Sequence, residues 1–411
     1  MEKILGIDPE DWHAQSATWG HPFHSMCSYI ASFPPKVPHY FIDRFTKPGE
    51  IVLDPFSGRG TTPTEACLMN RIGIGNDLNP IAYVLTKAKI RAPNKAALFK
   101  RIKRLEEGFE PQDTSTVPDD IRMLYNEITQ QQLLYLRQEL DIKRSDIDNH
   151  IMALVLGGMH GNSTRPSFMS IPMPNTFSMS PKYVRKYIAE HKLTPPNHDA
   201  FTVIKFRMNR YHSEGIPSVR GRAFNVDVRD LPAKLRGAKA DLIFTSPPYL
   251  NVIKYGKLNW IRLWMLGIEP KGLDKVLDDK HTMTKYVVFL EDTLKTCEKM
   301  VKDDGLCFIV VGQVGGNSAP GKDGSVELGS KILSELDKKT DLEFMGLVND
   351  YYNKDAKVSR IWGKEKMGRA TKYDQILVLS KDPKAVDRKR YKKKVDWGLA
   401  PLSTYQTTLQ R

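Results

Sequence analysis

Cysteine is scarce in this chain: four residues in 411, Cys27, Cys67, Cys297 and Cys307, with no C-x-x-C pair among them. That spacing supports neither a thiolate zinc site nor a disulfide framework. Long apolar runs are also missing, and none approaches the roughly 18 residues that a bilayer-spanning helix needs. The N-terminal stretch carries Glu2, Asp8, Glu10 and Asp11 where a secretory signal would be apolar, so no signal peptide is expected and a reducing cytoplasm fits. There is no internal repeat and no low-complexity block. His13, His21, His24 and His39 cluster early in the sequence, but packing or surface roles are expected for them, and no metal. What the chain has in excess is positive charge. Lys plus Arg number 62 against 48 for Asp plus Glu, a net +14, which suits a polyanionic partner because each neutralised phosphate releases counterions. A merely soluble basic surface is the plainer alternative.

Two local patterns carry chemistry. Thr245-Ser246-Pro247-Pro248-Tyr249 follows directly on the apolar run Asp241–Phe244, which fixes a stiff polar turn to the end of a buried strand. The prolines lock φ and give up their N–H groups. The Pro247 carbonyl and the Ser246 hydroxyl are then two acceptors for the two hydrogens of an exocyclic –NH2, and the Tyr249 ring is a stacking face. Upstream, the strand Ile51–Asp54 breaks into Pro55-Phe56-Ser57-Gly58-Arg59-Gly60-Thr61-Thr62 and then a helix over Pro63–Met69. Glycines there let a ligand approach the backbone, and the helix N-terminus offers unpaired N–H groups. A second strand, Ile72–Gly75, ends at Asn76-Asp77, where a carboxylate can take both hydroxyls of a ribose. By itself this could be a dinucleotide site, although Pro63 stands where G-x-G-x-x-G has its third glycine.

Together the two patterns resemble the S-adenosylmethionine-dependent DNA amino methyltransferases, which methylate cytosine N4 or adenine N6. The resemblance covers roughly residues 30 to 92 and 221 to 380. It implies that Asp54, Pro55, Phe56, Gly58, Gly60, Thr61 and Thr62 cradle the methionine part of S-adenosylmethionine and that Asp77 holds its ribose. Asp227, in Asn225–Leu231, would contact its adenine, although Asp230 could do the same work. Ser246, Pro247, Pro248 and Tyr249 would form the catalytic tetrapeptide. Lys36–Phe45, after Phe33-Pro34-Pro35, looks like the family's cofactor-flanking segment. Ser at the head of the tetrapeptide tends in this family to accompany cytosine-N4 activity, whereas Asp is more typical of adenine-N6. Double-stranded DNA is the implied partner, and the family's setting admits a cognate restriction endonuclease. Competing readings are adenine-N6 methylation, an RNA amino methyltransferase, a nicotinamide-dependent oxidoreductase on the same kind of sheet, and a DNA-binding protein without catalysis.

The expected fold is α/β: a doubly wound, mostly parallel sheet of the Rossmann-like class I methyltransferase type, with a largely helical insertion. Further strands are expected at 223–226, 241–245, 306–311 after a turn at Asp303-Asp304-Gly305, 342–348 and 375–379. Residues 1–92 would form the N-terminal half of the methyltransferase domain, 93–220 the helical insertion, and 221–411 the catalytic half with a basic tail. In the insertion, helices are predicted over Asp119–Leu140, Asp146–Met159, from Ser180-Pro181 onward, and over Asp199–Tyr211, around a polar Met- and Pro-rich stretch. The insertion reads either as a target-recognition lobe against DNA or as a helical cap. A second candidate for recognition is the glycine- and lysine-rich region 312–371. The tail run Lys389-Arg390-Tyr391-Lys392-Lys393-Lys394 is expected to touch phosphates, with a solvated charge run as the alternative.

Overall fold

Period-two alternation builds the centre of the molecule. A computed structural model describes residues 4–29, 32–160, 167–168, 179–248, 255–277, 283–312, 314–315, 325–326, 328–336, 339–351 and 373–398. Within it, Val52, Leu242, Phe244, Leu306, Phe308 and Val310 share one apolar core with the helix Lys36–Phe45. Their neighbours Leu53, Ile243, Cys307, Ile309 and Val311 share another with the helix Met283–Met300. Successive side chains on a strand face opposite ways, so strands apolar at every position belong to a sheet covered on both faces.

That sheet has seven strands: β1 (Ile51–Asp54), β2 (Ile72–Asn76), β3 (Arg222–Phe224), β4 (Ala240–Thr245), β5 (Val301–Gly312), β6 (Glu343–Tyr351) and β7 (Tyr373–Ser380). Their spatial order is β3-β2-β1-β4-β5-β7-β6. The pairs from β3 to β5 are parallel, and β7 is antiparallel to both β5 and β6. This is the doubly wound, mostly parallel α/β sheet expected. Its order reverses between β1 and β4, and ligands of such sheets sit at the carboxyl ends beside that switch point. Asp54 and Ser246 flank it.

Three local expectations need correction. β3 ends at Phe224, two residues short of the expected 226. The turn at Asp303-Asp304-Gly305 does not interrupt the chain: β5 starts at Val301, and a register shift opposite Ala240/Leu242 absorbs the irregularity. The helix expected over Asp119–Leu140 is two helices, Asp119–Arg122 and Glu127–Glu139. Asn126 caps the second by accepting from Ile128 N–H at 3.1 Å, and Gln130 Nε2 donates to the Tyr125 carbonyl at 2.7 Å, so side chains replace the helical bonds at the break.

The insertion's described helices are fused to the sheet's covering layer. Lys95–Glu107, Glu127–Glu139, Asp146–Gly158 and Ala200–Tyr211 pack in a third core with Pro80–Ile90 and Trp260–Leu266. Trp260 is buried in that core, and Trp264 packs against it. The basic tail folds back on the body: Lys389 pairs with Asp304 at 2.7 Å, Lys392 with Asp43 at 2.7 Å, and Trp397 stacks on His39 with centroids 5.4 Å apart. At least these two of its cations are used internally. Among the described residues, no helix is long and apolar enough to cross a membrane.

Close approach of the helix Thr61–Leu68 to β2 answers the missing third glycine. The space comes from the strand, where a Cβ at Gly73 would lie 2.1 Å from the Pro63 carbonyl oxygen and 2.9 Å from Cys67 Sγ. Gly73→Ala should therefore force a backbone shift and cost about 1–3 kcal/mol, read from the urea midpoint. Gly272→Ala, where nothing lies within 4 Å, should be neutral or stabilising in the same assay.

Candidate active site at the sheet's carboxyl edge

Asp54 closes β1 as a buried carboxylate, 1% exposed. Its Oδ1 accepts from Thr245 Oγ1 at 2.6 Å and from Phe56 N–H at 3.1 Å. Thr245 is the last residue of β4, so this bond ties the end of β1 to the residue immediately before Ser246. Ser246 itself is half-buried, Pro247 is buried and Pro248 is exposed. Tyr249 lies outside the described residues, as do most of the Met- and Pro-rich stretch and most of 312–371. Burial pushes the Asp54 carboxyl up to about 7, against the hydrogen bonds from the Thr245 hydroxyl and the Phe56 amide that favour its charged form.

The glycine loop wraps the second carboxylate. Gly58 and Gly60 take positive φ, +51° and +80°, conformations that disfavour any side chain. Gly58 N–H donates to Asp77 Oδ2 at 2.8 Å, and Asn79 N–H to Asp77 Oδ1 at 2.9 Å. Burial pushes Asp77 up to about 6, opposed by those two amides. Each of its oxygens keeps a lone pair for a diol. Pro55 is buried, and Phe56 meets Phe289 edge-on at 5.7 Å. Thr61 accepts from Arg59 Nε at 3.3 Å, and Thr62 donates to the Phe244 carbonyl at 3.3 Å.

Asp227 sits one strand farther out, 29% exposed at its side chain, and holds Arg229 in a two-pronged pair at 2.9 and 2.7 Å. It also caps the short turn Val228–Asp230. Its carboxylate is thus oriented but partly engaged.

Two residues with no sequence-level assignment knit these segments together. Asn76 is buried at the end of β2; its Nδ2 donates to the Pro55 and Val226 carbonyls at 3.2 and 3.1 Å, and its Oδ1 accepts from Val226 N–H at 3.2 Å. One amide therefore fixes the loops after β1 and β3 relative to β2. Tyr29 lies over the loop, with Cε1 at 3.5 Å from where a Gly58 Cβ would be and its hydroxyl accepting from Asn79 Nδ2 at 3.0 Å. The early histidines hydrogen-bond within the fold: His13 with Asp350 at 2.6 Å and His21 with the Phe23 N–H at 3.2 Å. His24 Nε2 and His39 Nδ1 lie 2.5 and 2.8 Å from the two oxygens of buried Glu65. Burial alone would raise Glu65, but these two partners bring it down to about 2.

Charge decides what this sheet edge suits. Among the described residues, neither Asp54, which is buried, nor Asp77, which is half-buried, has a Lys or Arg partner. A ligand carrying its own cations would repay that desolvation. S-adenosylmethionine, with a sulfonium, an ammonium and a ribose diol, fits this donor set. Positive charge collects under the loop, where Arg59 bonds the His24 carbonyl at 3.2 Å and the Lys89 ammonium, bonded to the Arg59 carbonyl, is pushed down to about 7 by burial and by Arg59.

Two curated methyltransferases share short stretches of this sequence. The Type II methyltransferase M.MjaII of Methanocaldococcus jannaschii is 32% identical over 68 residues, 16% of this chain and 13% of its own length. The Type II beta methyltransferase M.BslI of a Bacillus species is 32% identical over 85 residues, 17% of this chain and 9% of its own. The chain thus matches only a small part of either relative. Among solved structures, TrmN from Thermus thermophilus overlaps 87% of this chain and 52% of its own at 11% identity and a TM-score of 0.33. The rRNA methyltransferase aviRa from Streptomyces viridochromogenes overlaps 93% and 94%, with the same identity and score. A family model described as DNA methylase matches residues 9–87 and 240–408, leaving out all of the helical insertion and Asp227. That match spans more than half of the chain, which therefore belongs to the N6/N4 DNA methylase family, whose methyl donor is S-adenosylmethionine.

Proposed function

We propose that the chain is a cytoplasmic DNA methyltransferase acting on the exocyclic N4 of cytosine in a flipped-out base. The observation that carries this reading is the Thr245–Asp54 hydrogen bond, 2.6 Å across the switch point. It joins the proposed donor loop of Asp54, Pro55, Phe56, Gly58, Gly60, Thr61 and Thr62 to the proposed catalytic turn of Ser246, Pro247, Pro248 and Tyr249. Ser at position 246 favours cytosine over adenine by resemblance. The names of the two Type II relatives favour a restriction–modification setting with double-stranded DNA and a cognate endonuclease as partners.

A base amino group is a poor nucleophile because its lone pair is delocalised into the ring. Ser246 Oγ and the Pro247 carbonyl oxygen would each accept one N–H, favouring a pyramidal nitrogen whose lone pair is aimed at the donor. The chemistry that S-adenosylmethionine would supply there is an activated methyl, transferred to that nitrogen with the sulfur leaving as a neutral thioether. The proton lost from nitrogen passes to water directly or through Ser246. Positioning and charge placement suffice, without a strong base or a covalent enzyme intermediate. Flipping costs a few kcal/mol, and stacking on Tyr249, about 1–3 kcal/mol, would offset much of it. Asp77 and Asp227 would hold the ribose and adenine of the donor.

Nucleoside analysis of DNA incubated with the protein and S-adenosylmethionine tests the reading: N4-methylcytosine is expected. N6-methyladenine alone would move the assignment to adenine, and NAD binding without affinity for S-adenosylmethionine would remove the methyltransferase reading altogether.

A further inference from the structure

The helix Pro181–Glu190 stands apart from the insertion's other long helices because it buries so little. Val184 is its one buried residue, and Tyr187 and Ile188 rest partly on the third core. At about 100° per residue, Lys182 and Lys186 lie nearly opposite Val184 and point outward; both are exposed. Beside them runs an aromatic ladder. Tyr183 and Tyr187 stack with centroids 6.3 Å apart and 26° between planes, and Tyr187 and His191 at 4.0 Å and 22°. Tyr183, at the ladder's end, is 49% exposed, among the largest exposures of any aromatic in the described residues.

Charge over this element is one-sided. Residues 179–192 hold Lys182, Arg185, Lys186 and Lys192 against a single acid, Glu190. Among the described residues, Lys182 and Lys192 have no carboxylate partner. The Lys186–Glu190 pair is a long exposed contact of 3.5 Å, worth little. Arg185, by contrast, pairs with Asp120, which pins the helix to the insertion.

The helix is also tied to the catalytic half. Ser180 caps it, accepting from Tyr183 N–H at 3.3 Å. The preceding carbonyl, that of Met179, accepts from Trp260 Nε1 at 2.9 Å. Trp260 opens the helix Trp260–Leu266, which follows the tetrapeptide in sequence. Arg262 on that helix bonds the Leu156 carbonyl at 3.2 Å, holding it to the insertion from the other side.

We propose that the outer face of Pro181–Glu190, carrying Lys182, Tyr183 and Lys186, is a docking surface for the DNA backbone flanking the target base. The inference rests on the reading of the chain as a DNA methyltransferase and extends it to a part of the chain outside the family match. A solvent-facing row of ammonium groups beside a stacked aromatic edge suits phosphates and an adjoining unstacked base.

The test compares the full-length chain with a Lys182→Gln/Lys186→Gln double variant and a Tyr183→Ala variant. Dissociation constants for a DNA duplex are measured over a salt series, alongside S-adenosylmethionine affinity, oligomeric state and methyl transfer. Loss of two phosphate contacts should lower the slope of log K on log salt by about 1.8 and weaken binding roughly tenfold at moderate salt. Tyr183→Ala should weaken DNA binding several-fold with an unchanged slope. Donor affinity and oligomeric state should stay as in the parent. Unchanged DNA affinity and slope in a parent that does methylate DNA would overturn the docking surface alone, as would a change in oligomeric state without a change in slope. A parent that binds the donor but methylates no DNA would overturn the functional reading first.

Discussion

Ser246→Ala should lower kcat on the order of 10²-fold or more while leaving the dissociation constants for donor and DNA within about twofold of the parent. The hydroxyl lies one residue beyond Thr245, whose side chain is clamped to Asp54. In the proposed mechanism, removing it deletes an acceptor that matters when the amino nitrogen becomes pyramidal, which happens only on the way to the transition state. Ground-state binding draws on other contacts, so KM should change little. Single-turnover methylation separates this outcome from slowed product release. Ser246→Asp offers a sharper comparison: it restores an acceptor of the type common in the adenine-N6 branch and should recover part of the lost rate. If the alanine variant turned over at the parent rate, or the aspartate variant were no better than alanine, Ser246 would not be an acceptor for the reacting amine.

How the sequence foreshadows this site depends on range. Strand ends and turns are local, so Asp54, Asp77 and Ser246 could be placed at the carboxyl edge from apolar runs that stop at polar or glycine-bearing turns. The sheet followed from the same runs. The residues that hold the site together were hidden because their roles are set by partners far along the chain. Asn76 meets Val226 across 150 positions, Tyr29 meets Asn79 across 50, and Lys392 meets Asp43 across 349. Nothing near Asn76 marks it apart from any other polar residue after a strand. The split at Asn126 is different, since Asn followed by Glu127 is a helix start that could have been read there. The long insertion was legible as helices, but its fusion to Pro80–Ile90 depends on which faces meet, which a hydrophobic period does not specify.

Asp54→Asn should make the donor-free protein more stable and the donor-binding protein weaker. The Asp54 carboxyl has a folded-state value of about 7, well above the ordinary value of 3.8. A group raised in this way contributes stability that is fully present below about pH 4 and lost as pH rises through 7. At pH 8 the ionised carboxylate then costs the donor-free fold on the order of 4 kcal/mol. Asparagine removes the charge and keeps the geometry: both bonds, from Thr245 Oγ1 and Phe56 N–H, end on Oδ1, and the new amide can donate to the neighbouring Thr62 hydroxyl. The variant should therefore unfold several degrees above the parent at pH 8, with the difference closing as pH falls towards 4. Its S-adenosylmethionine affinity should move the other way, by about tenfold to a hundredfold at pH 8, because a cationic ligand loses its buried counter-charge. In the parent, donor binding should favour the ionised Asp54 and release protons, so affinity should rise with pH between 6 and 8; in the variant that rise should be smaller. Calorimetry in buffers of different ionisation enthalpy counts the protons. A variant no more stable than the parent at pH 8, or one that binds the donor equally well, would mean that this carboxylate is a strand-end cap and not a charge kept in reserve for a ligand.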